Sequence, residues 1–101
     1  MTNLNGKVAL VTGASRGLGN AIAERFALLG ADVIVNYASS YLAAQELVKT
    51  IEGLGRRAIA LKADVSKVSE IDALFEESKR QFSHIDIVVA TESVNIGVVV
   101  F

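Results

Sequence analysis

Short apolar runs and amphipathic stretches alternate along the chain. Lys7-Val8-Ala9-Leu10-Val11-Thr12 is almost wholly apolar and stops at Gly13, the pattern of a strand covered on both faces. From Leu18 the apolar positions Leu18, Ile22, Phe26 and Leu29 recur at helical spacing, and Gly30 stands where a helix terminator belongs. Asp32-Val33-Ile34-Val35-Asn36 repeats the strand pattern, and Ala44, Leu47, Val48, Ile51 and Leu54 repeat the helical one before Gly55. Residues 57–61 predict a third strand. Ser66 is suited to cap a third helix whose apolar face is Val68, Ile71, Leu74, Phe75 and Phe82, with Glu76 and Arg80 paired on the outer side. Residues 85–90 predict a fourth strand.

Strands alternating with helices of this length imply right-handed crossovers and a parallel sheet with helices on its faces, a three-layer α/β doubly wound architecture. The expected strand order is 3-2-1-4, which leaves the fourth strand at an edge. Residues 94–101 are apolar and β-prone, with Val94, Ile96, Val98 and Val100 in one alternating set. Two outcomes are open: this segment folds back as an antiparallel strand through a turn at residues 91–93, or it pairs with another chain. Either satisfies backbone groups that a bare edge leaves open. With few partners for the third helix as well, a homo-oligomer formed through the sheet edge or the tail is expected.

Composition narrows the chemistry. The 101 residues are 51% hydrophobic, enough for one cored domain over residues 1–101. Ten Lys and Arg against eleven Asp and Glu leave a net charge of -1, which offers no cationic field to a nucleic acid. Without cysteine, and with one histidine, the chain has no disulfide, no thiol nucleophile and no zinc site. No apolar run approaches the ~18–20 residues that cross a bilayer, so no membrane partner is expected. Residues 1–6 lack the pattern of a secretory leader, and a cytoplasmic location is expected.

The most informative segment is Thr12-Gly13-Ala14-Ser15-Arg16-Gly17-Leu18-Gly19, between the first strand and the first helix. Glycines at such a turn let the chain bend sharply, let its backbone approach a pyrophosphate, and let the helix start pack closely on the strand. The free N–H groups and the positive end of the helix dipole then face the phosphates. The plainer alternative is a tight turn in an α/β domain that binds no nucleotide.

Thr-Gly-x-x-x-Gly-x-Gly at residues 12–19 resembles the cofactor loop of the short-chain dehydrogenase/reductase family. Val-Asn-Tyr-Ala at residues 35–38 and Ala-Asp-Val-Ser at residues 63–66 resemble its 3-oxoacyl-(acyl carrier protein) reductase-like members, and the likeness runs from about residue 7 to residue 89. It implies a Rossmann-like fold, truncated to about four parallel strands, and pyrophosphate contacts from Gly13, Gly17 and Gly19. Ser15, Arg16 and Leu18 complete the expected loop contacts. Asp64, after the third strand, takes the family's adenine contact with Val65 beside it; a helix-start anion is the plainer reading of Asp64.

Charge bears on which dinucleotide. NAD selectivity calls for a carboxylate at the end of the second strand, some ~20 residues beyond the loop. Asn36 occupies that end, and Asp32 lies at the opposite pole of the strand. A neutral Asn does not repel a 2′-phosphate, and Arg16 can pair with one, so NADP(H) is expected over NAD(H). As a plain alternative, Arg16 is a solvated loop cation.

After the fourth strand the resemblance stops. The family's Asn-Asn-Ala-Gly is here Ala90-Thr91-Glu92-Ser93, and no residue matches its catalytic Ser or its Tyr-x-x-x-Lys. Tyr41 follows Tyr37 by four positions and Gln45 follows Tyr41, so both tyrosines are expected at the surface. His84 is expected in an exposed turn at the pole opposite the loop. Lys62, Glu92 and Ser93 are placed toward the strand ends where ligands bind, with no role assigned. The reading is the NADP(H)-binding portion of an oxidoreductase, inactive alone because it lacks the groups that protonate a carbonyl oxygen. The alternative is a non-catalytic, self-associating α/β module that has lost the cofactor.

Overall fold

A computed structural model describes residues 3–91 and 95–101. Its elements follow in the order β1 (Val8–Val11), α1 (Gly17–Leu28), β2 (Asp32–Tyr37), α2 (Tyr41–Gly53), β3 (Ala58–Lys62), α3 (Val68–Phe82), β4 (Ile87–Thr91) and β5 (Ile96–Val100). They form one sheet in the order β3-β2-β1-β4-β5. The first three pairings are parallel, and β5 runs antiparallel to β4, as the fold-back outcome requires. The expected hairpin turn at residues 91–93 falls mostly outside the described residues. No described helix is long and apolar enough to cross a membrane.

β1 lies at the centre, and all four of its residues are buried. One face of the sheet packs Ala9, Val11, Val33 and Val35 against α1 and α2; the other packs Val8, Leu10 and Ile34 against Leu74 and Phe82 of α3. Alternating side chains of one strand thus feed two cores, which is why these strands read as unbroken apolar runs.

Several local expectations change in the structure. α1 meets the sheet through Gly19, Ala23 and Ala27, one residue round from the expected stripe, while Leu18 is 51% exposed. Small side chains let this helix lie close to the sheet, and the larger Ile22 and Phe26 pack at its flank. In α3 it is Leu74, Ser78 and Phe82 that are buried; Val68 lies outside. Ser66 does not cap α3: Lys67 is the N-cap residue, without a side-chain cap, and Ser66 instead donates to Asp64. Arg80 pairs with Glu77 rather than Glu76, the i,i+3 neighbour lying on the same side as its guanidinium. β2 runs one residue beyond Asn36, so Tyr37 is buried at 8% exposure and packs edge-on against Tyr41, at 5.9 Å between ring centroids. Tyr41, at the start of α2, is exposed as expected.

Candidate functional site

The turn from β1 into α1 sits at the carboxyl end of the parallel strands, beside the ends of β2 and β4. Its shape is fixed from three sides. The Ala14 amide donates to the Asn36 carbonyl at 2.9 Å, and the Gly13 amide to Asn36 Oδ1 at 3.3 Å. The Thr12 amide donates to the Val89 carbonyl at 2.9 Å. Thr91 adds two bonds to Thr12, both as donor: its amide donates to Thr12 Oγ1 at 3.1 Å and its hydroxyl to the Thr12 carbonyl at 2.6 Å.

Two glycines are required by this geometry. Gly13 has φ +59, and a Cβ there would lie 2.9 Å from Thr91 Oγ1. Gly19 has an ordinary helical backbone, yet a Cβ there would run into the Gly13 carbonyl. The first turn of α1 therefore folds directly over the loop, a close approach that any side chain would prevent.

Past Ala14 the backbone has donors to spare. Among the described residues, no acceptor meets the amides of residues 15–19, while the Asn20 amide reaches the Arg16 carbonyl at 3.4 Å. Asn20 Nδ2 also donates to the Ser15 carbonyl at 3.5 Å. α1 carries no acidic residue in its first turn and Arg16 stands at its N-cap. Unpaired amides, the positive helix end and a guanidinium together make a cradle for an anion.

The remaining expected site residues are placed as follows. Gly17, Leu18 and Arg16 are exposed around the cradle, with Ser15 half-buried. Arg16 Nη2 donates to Ser40 Oγ at 2.6 Å, holding the guanidinium over the start of α2, next to the end of β2. Asn36 is 2% exposed. Besides receiving Gly13, its side chain donates through Nδ2 to the Leu61 and Ala63 carbonyls at 3.2 and 3.3 Å. The strand-end position expected to face a ribose is thus turned inward, tying the glycine loop to the end of β3.

Asp64 and Val65 follow β3, with Val65 exposed. Asp64 Oδ1 accepts the Ser66 hydroxyl at 2.6 Å and the Ser66 amide at 3.0 Å, and these two bonds hold its carboxyl below the ordinary carboxylate range. Its amide donates to Glu70 Oε1 at 2.8 Å. Lys62 is exposed at the end of β3, and Glu92 and Ser93 lie outside the described residues. His84 is exposed at the far pole, its Nε2 3.0 Å from Asp86 Oδ2 and 3.3 Å from the Gly6 carbonyl. Among the described residues no group of acidic or histidine side chains could hold a metal ion.

Sequence reasoning missed the parts played by Thr12, Thr91 and Ser40. A threonine ending each of two adjacent parallel strands was visible, but their pairing follows only once β1 and β4 are neighbours.

A family model described as short chain dehydrogenase matches residues 7–99. The chain is 51% identical over 94 residues to the hydroxynaphthalene reductase-like protein Arp2 of Metarhizium robertsii, covering 93% of this chain and 35% of that protein. It is 51% identical over 98 residues to the short chain dehydrogenase claC of Passalora fulva, again covering 35% of the relative. A crystal structure of a short chain dehydrogenase from Burkholderia cenocepacia J2315 in complex with NADP superposes with a TM-score of 0.83 at 46% identity, over 85% of this chain and 35% of that one. The chain thus spans about a third of the length of the relatives it matches.

Proposed function

The chain belongs to the short-chain dehydrogenase/reductase family, and from that premise we propose that it is an NADP(H)-binding portion of a carbonyl reductase and does not reduce a carbonyl by itself. The observation that carries the reading is the run of unpaired amides at residues 15–19, at the positive end of α1. Those amides receive the pyrophosphate. Gly13 and Gly19 keep the approach clear of side chains, and Asn36, Thr12 and Thr91 hold the bend in shape before any ligand arrives. Asp64 and Val65 border the adenine side.

Arg16 favours a 2′-phosphate. It stands over Ser40 beyond the end of β2, and no carboxylate ends that strand to accept ribose hydroxyls. When bound, the reduced nicotinamide supplies a hydride to a carbonyl carbon. Among the described residues none is placed to orient that carbonyl or protonate its oxygen: Tyr37 is buried against Tyr41, and neither is followed at the fourth position by a lysine. For the parent reaction, the name of the Metarhizium relative favours a fused-ring aromatic ketone over an acyl thioester.

Titration of the 101-residue chain with NADPH, followed by the fluorescence of the reduced nicotinamide, tests this. Saturable binding that Gly13→Val abolishes is expected, with no steady-state reduction of any ketone. Absence of saturable binding removes the cofactor reading and leaves the self-associating module.

A further inference from the structure

We propose that Asn5 is a site of spontaneous deamidation, converted through a cyclic imide with the Gly6 nitrogen into isoaspartate and aspartate. His84 slows the reaction by holding the turn that carries it. Residues 3–7 run ahead of β1, beside the amino ends of the strands. The Lys7 amide donates to the Leu4 carbonyl at 3.0 Å, which closes a tight turn with Asn5 and Gly6 at its centre. Gly6 has φ +79 and Asn5 is not among the residues of positive φ, the signature of a type II turn. Both are exposed, and among the described residues no acceptor meets the Gly6 amide.

The chemistry needs an unshielded backbone nitrogen directly after an asparagine. Hydroxide removes the Gly6 amide proton and the nitrogen attacks Asn5 Cγ. The Cγ–Nδ2 bond breaks, and the leaving nitrogen takes a proton from water and departs as ammonia, which regenerates hydroxide. Water then opens the imide: cleavage at Cγ gives aspartate, and cleavage at the main-chain carbonyl gives isoaspartate. Glycine permits the attack because no Cβ crowds its nitrogen. The other asparagines are poorer candidates, each for its own reason. Leu4 follows Asn3, and its amide is held by the Leu29 carbonyl at 2.8 Å. Asn20 and Asn36 sit within α1 and β2, and Asn95 is followed by the branched Ile96.

Ring closure requires a rotation about the Asn5 Cα–C bond that a closed type II turn does not allow, so the rate follows how often the turn opens. The Leu4–Lys7 bond and the Leu4 amide on the Leu29 carbonyl oppose opening. So does His84, whose Nε2 lies 3.3 Å from the Gly6 carbonyl and 3.0 Å from Asp86 Oδ2. Both neighbours of that nitrogen are acceptors, so it carries a proton and donates. Asp86 Oδ2 is fixed in turn by the Val8 amide at 2.8 Å. The two products differ in consequence. Asn5 Oδ1 fills the space where a Gly30 side chain would go, and Arg56 Nη1 reaches the Gly30 carbonyl at 3.4 Å, so an aspartate there has a guanidinium in its neighbourhood. Isoaspartate adds a methylene to the main chain, and the Leu4–Lys7 and Leu4–Leu29 bonds cannot both survive it.

Ageing of the 101-residue chain in mildly alkaline buffer tests this, with no cofactor present, so the outcome is independent of the dinucleotide reading. Peptide fragmentation by mass spectrometry should find the amide-to-acid change at Asn5 and not at Asn3, Asn20, Asn36 or Asn95, and enzymatic methylation should label the isoaspartate. Gly6→Ala should slow conversion by roughly tenfold or more, because its methyl group shields the nitrogen in an open turn as well as a closed one. His84→Ala should speed conversion several-fold, and His84→Gln, which keeps a donor, should return it toward the wild-type rate. The Leu4 amide should exchange faster in the isoaspartyl fraction but remain protected in Asn5→Asp. An unchanged Asn5, a Gly6→Ala chain that converts as fast as wild type, or a His84→Ala chain that converts no faster would each overturn the proposal.

Discussion

Thr91 and Thr12 hold each other across the seam between β4 and β1, the Thr91 amide on Thr12 Oγ1 at 3.1 Å and the Thr91 hydroxyl on the Thr12 carbonyl at 2.6 Å. Thr12 is the last residue before the glycine bend, and Thr91 Oγ1 also occupies the space where a Gly13 side chain would go. The last residue of β4 thus acts on the phosphate loop without belonging to it.

Thr91→Val keeps the shape and removes the hydroxyl, leaving the Thr12 carbonyl without that partner. A loss of about 1–3 kcal/mol in urea unfolding is expected, together with weaker NADPH binding. Thr91→Ser should recover both, which a role in packing alone would not require.

Asn36→Ala deprives the Gly13 amide and the Leu61 and Ala63 carbonyls of a common partner at a buried site. The expected cost is roughly 2–4 kcal/mol, read from the denaturation midpoint at unchanged m-value. Asn36→Asp should do no better, since a carboxylate has no donor for the two carbonyls.

Gly19→Ala places a methyl group against the Gly13 carbonyl and forces α1 away from the loop. About 1–3 kcal/mol of stability is expected to go. Gly17→Ala meets no neighbouring atom within 4 Å, but it strains a backbone with φ +61. NADPH affinity should fall with Gly19→Ala by more than its thermal shift alone accounts for.

Arg16→Ala should cut NADPH affinity by roughly tenfold or more while changing NADH affinity little, because only the former carries a 2′-phosphate. Paired titrations at low and high salt read the difference, which salt should shrink. Equal losses for both cofactors would remove the selectivity assigned to Arg16.

The Asp64 carboxyl is held below its ordinary value of 3.8 by the Ser66 hydroxyl and amide, and the Glu77 carboxyl below 4.5 by Gln81 and then Arg80. A carboxyl lowered in the folded state adds stability that is complete above its unfolded value and is lost as pH falls through the folded one. Asp64→Ala should therefore melt below the wild type at neutral pH. The two melting curves should converge as pH drops below the ordinary carboxylate range.

The order of the sheet was legible because β1 to β4 each carry unbroken apolar runs of strand length. The cofactor loop was legible because three glycines fall between a strand and a helix. What escaped the sequence was contact made by small or polar residues. Gly19, Ala23 and Ala27 rank low in hydrophobicity, yet they form the face of α1 because closeness, and not side-chain bulk, is what that helix contributes. Asn36 is read from the sequence as a cofactor-side strand end, since nothing local to it reveals that the Gly13 amide and two β3-end carbonyls converge there. Tyr37 misled for a related reason: a strand's last residue is decided by its neighbour, and Lys62 of β3 pairs with it. Ser66 fitted a capping pattern, but Asp64 two residues earlier competed for its hydroxyl.

β4 is bound in two unlike ways, to β5 by antiparallel pairing of strands adjacent in sequence and to β1 by a parallel seam between residues 79 apart at Thr12 and Thr91. Closing a short loop is entropically easy, while the long crossover must wait for most of the chain to be ordered. The bend that cradles phosphate therefore depends on the entropically costlier of the two contacts, the one that spans most of the described chain.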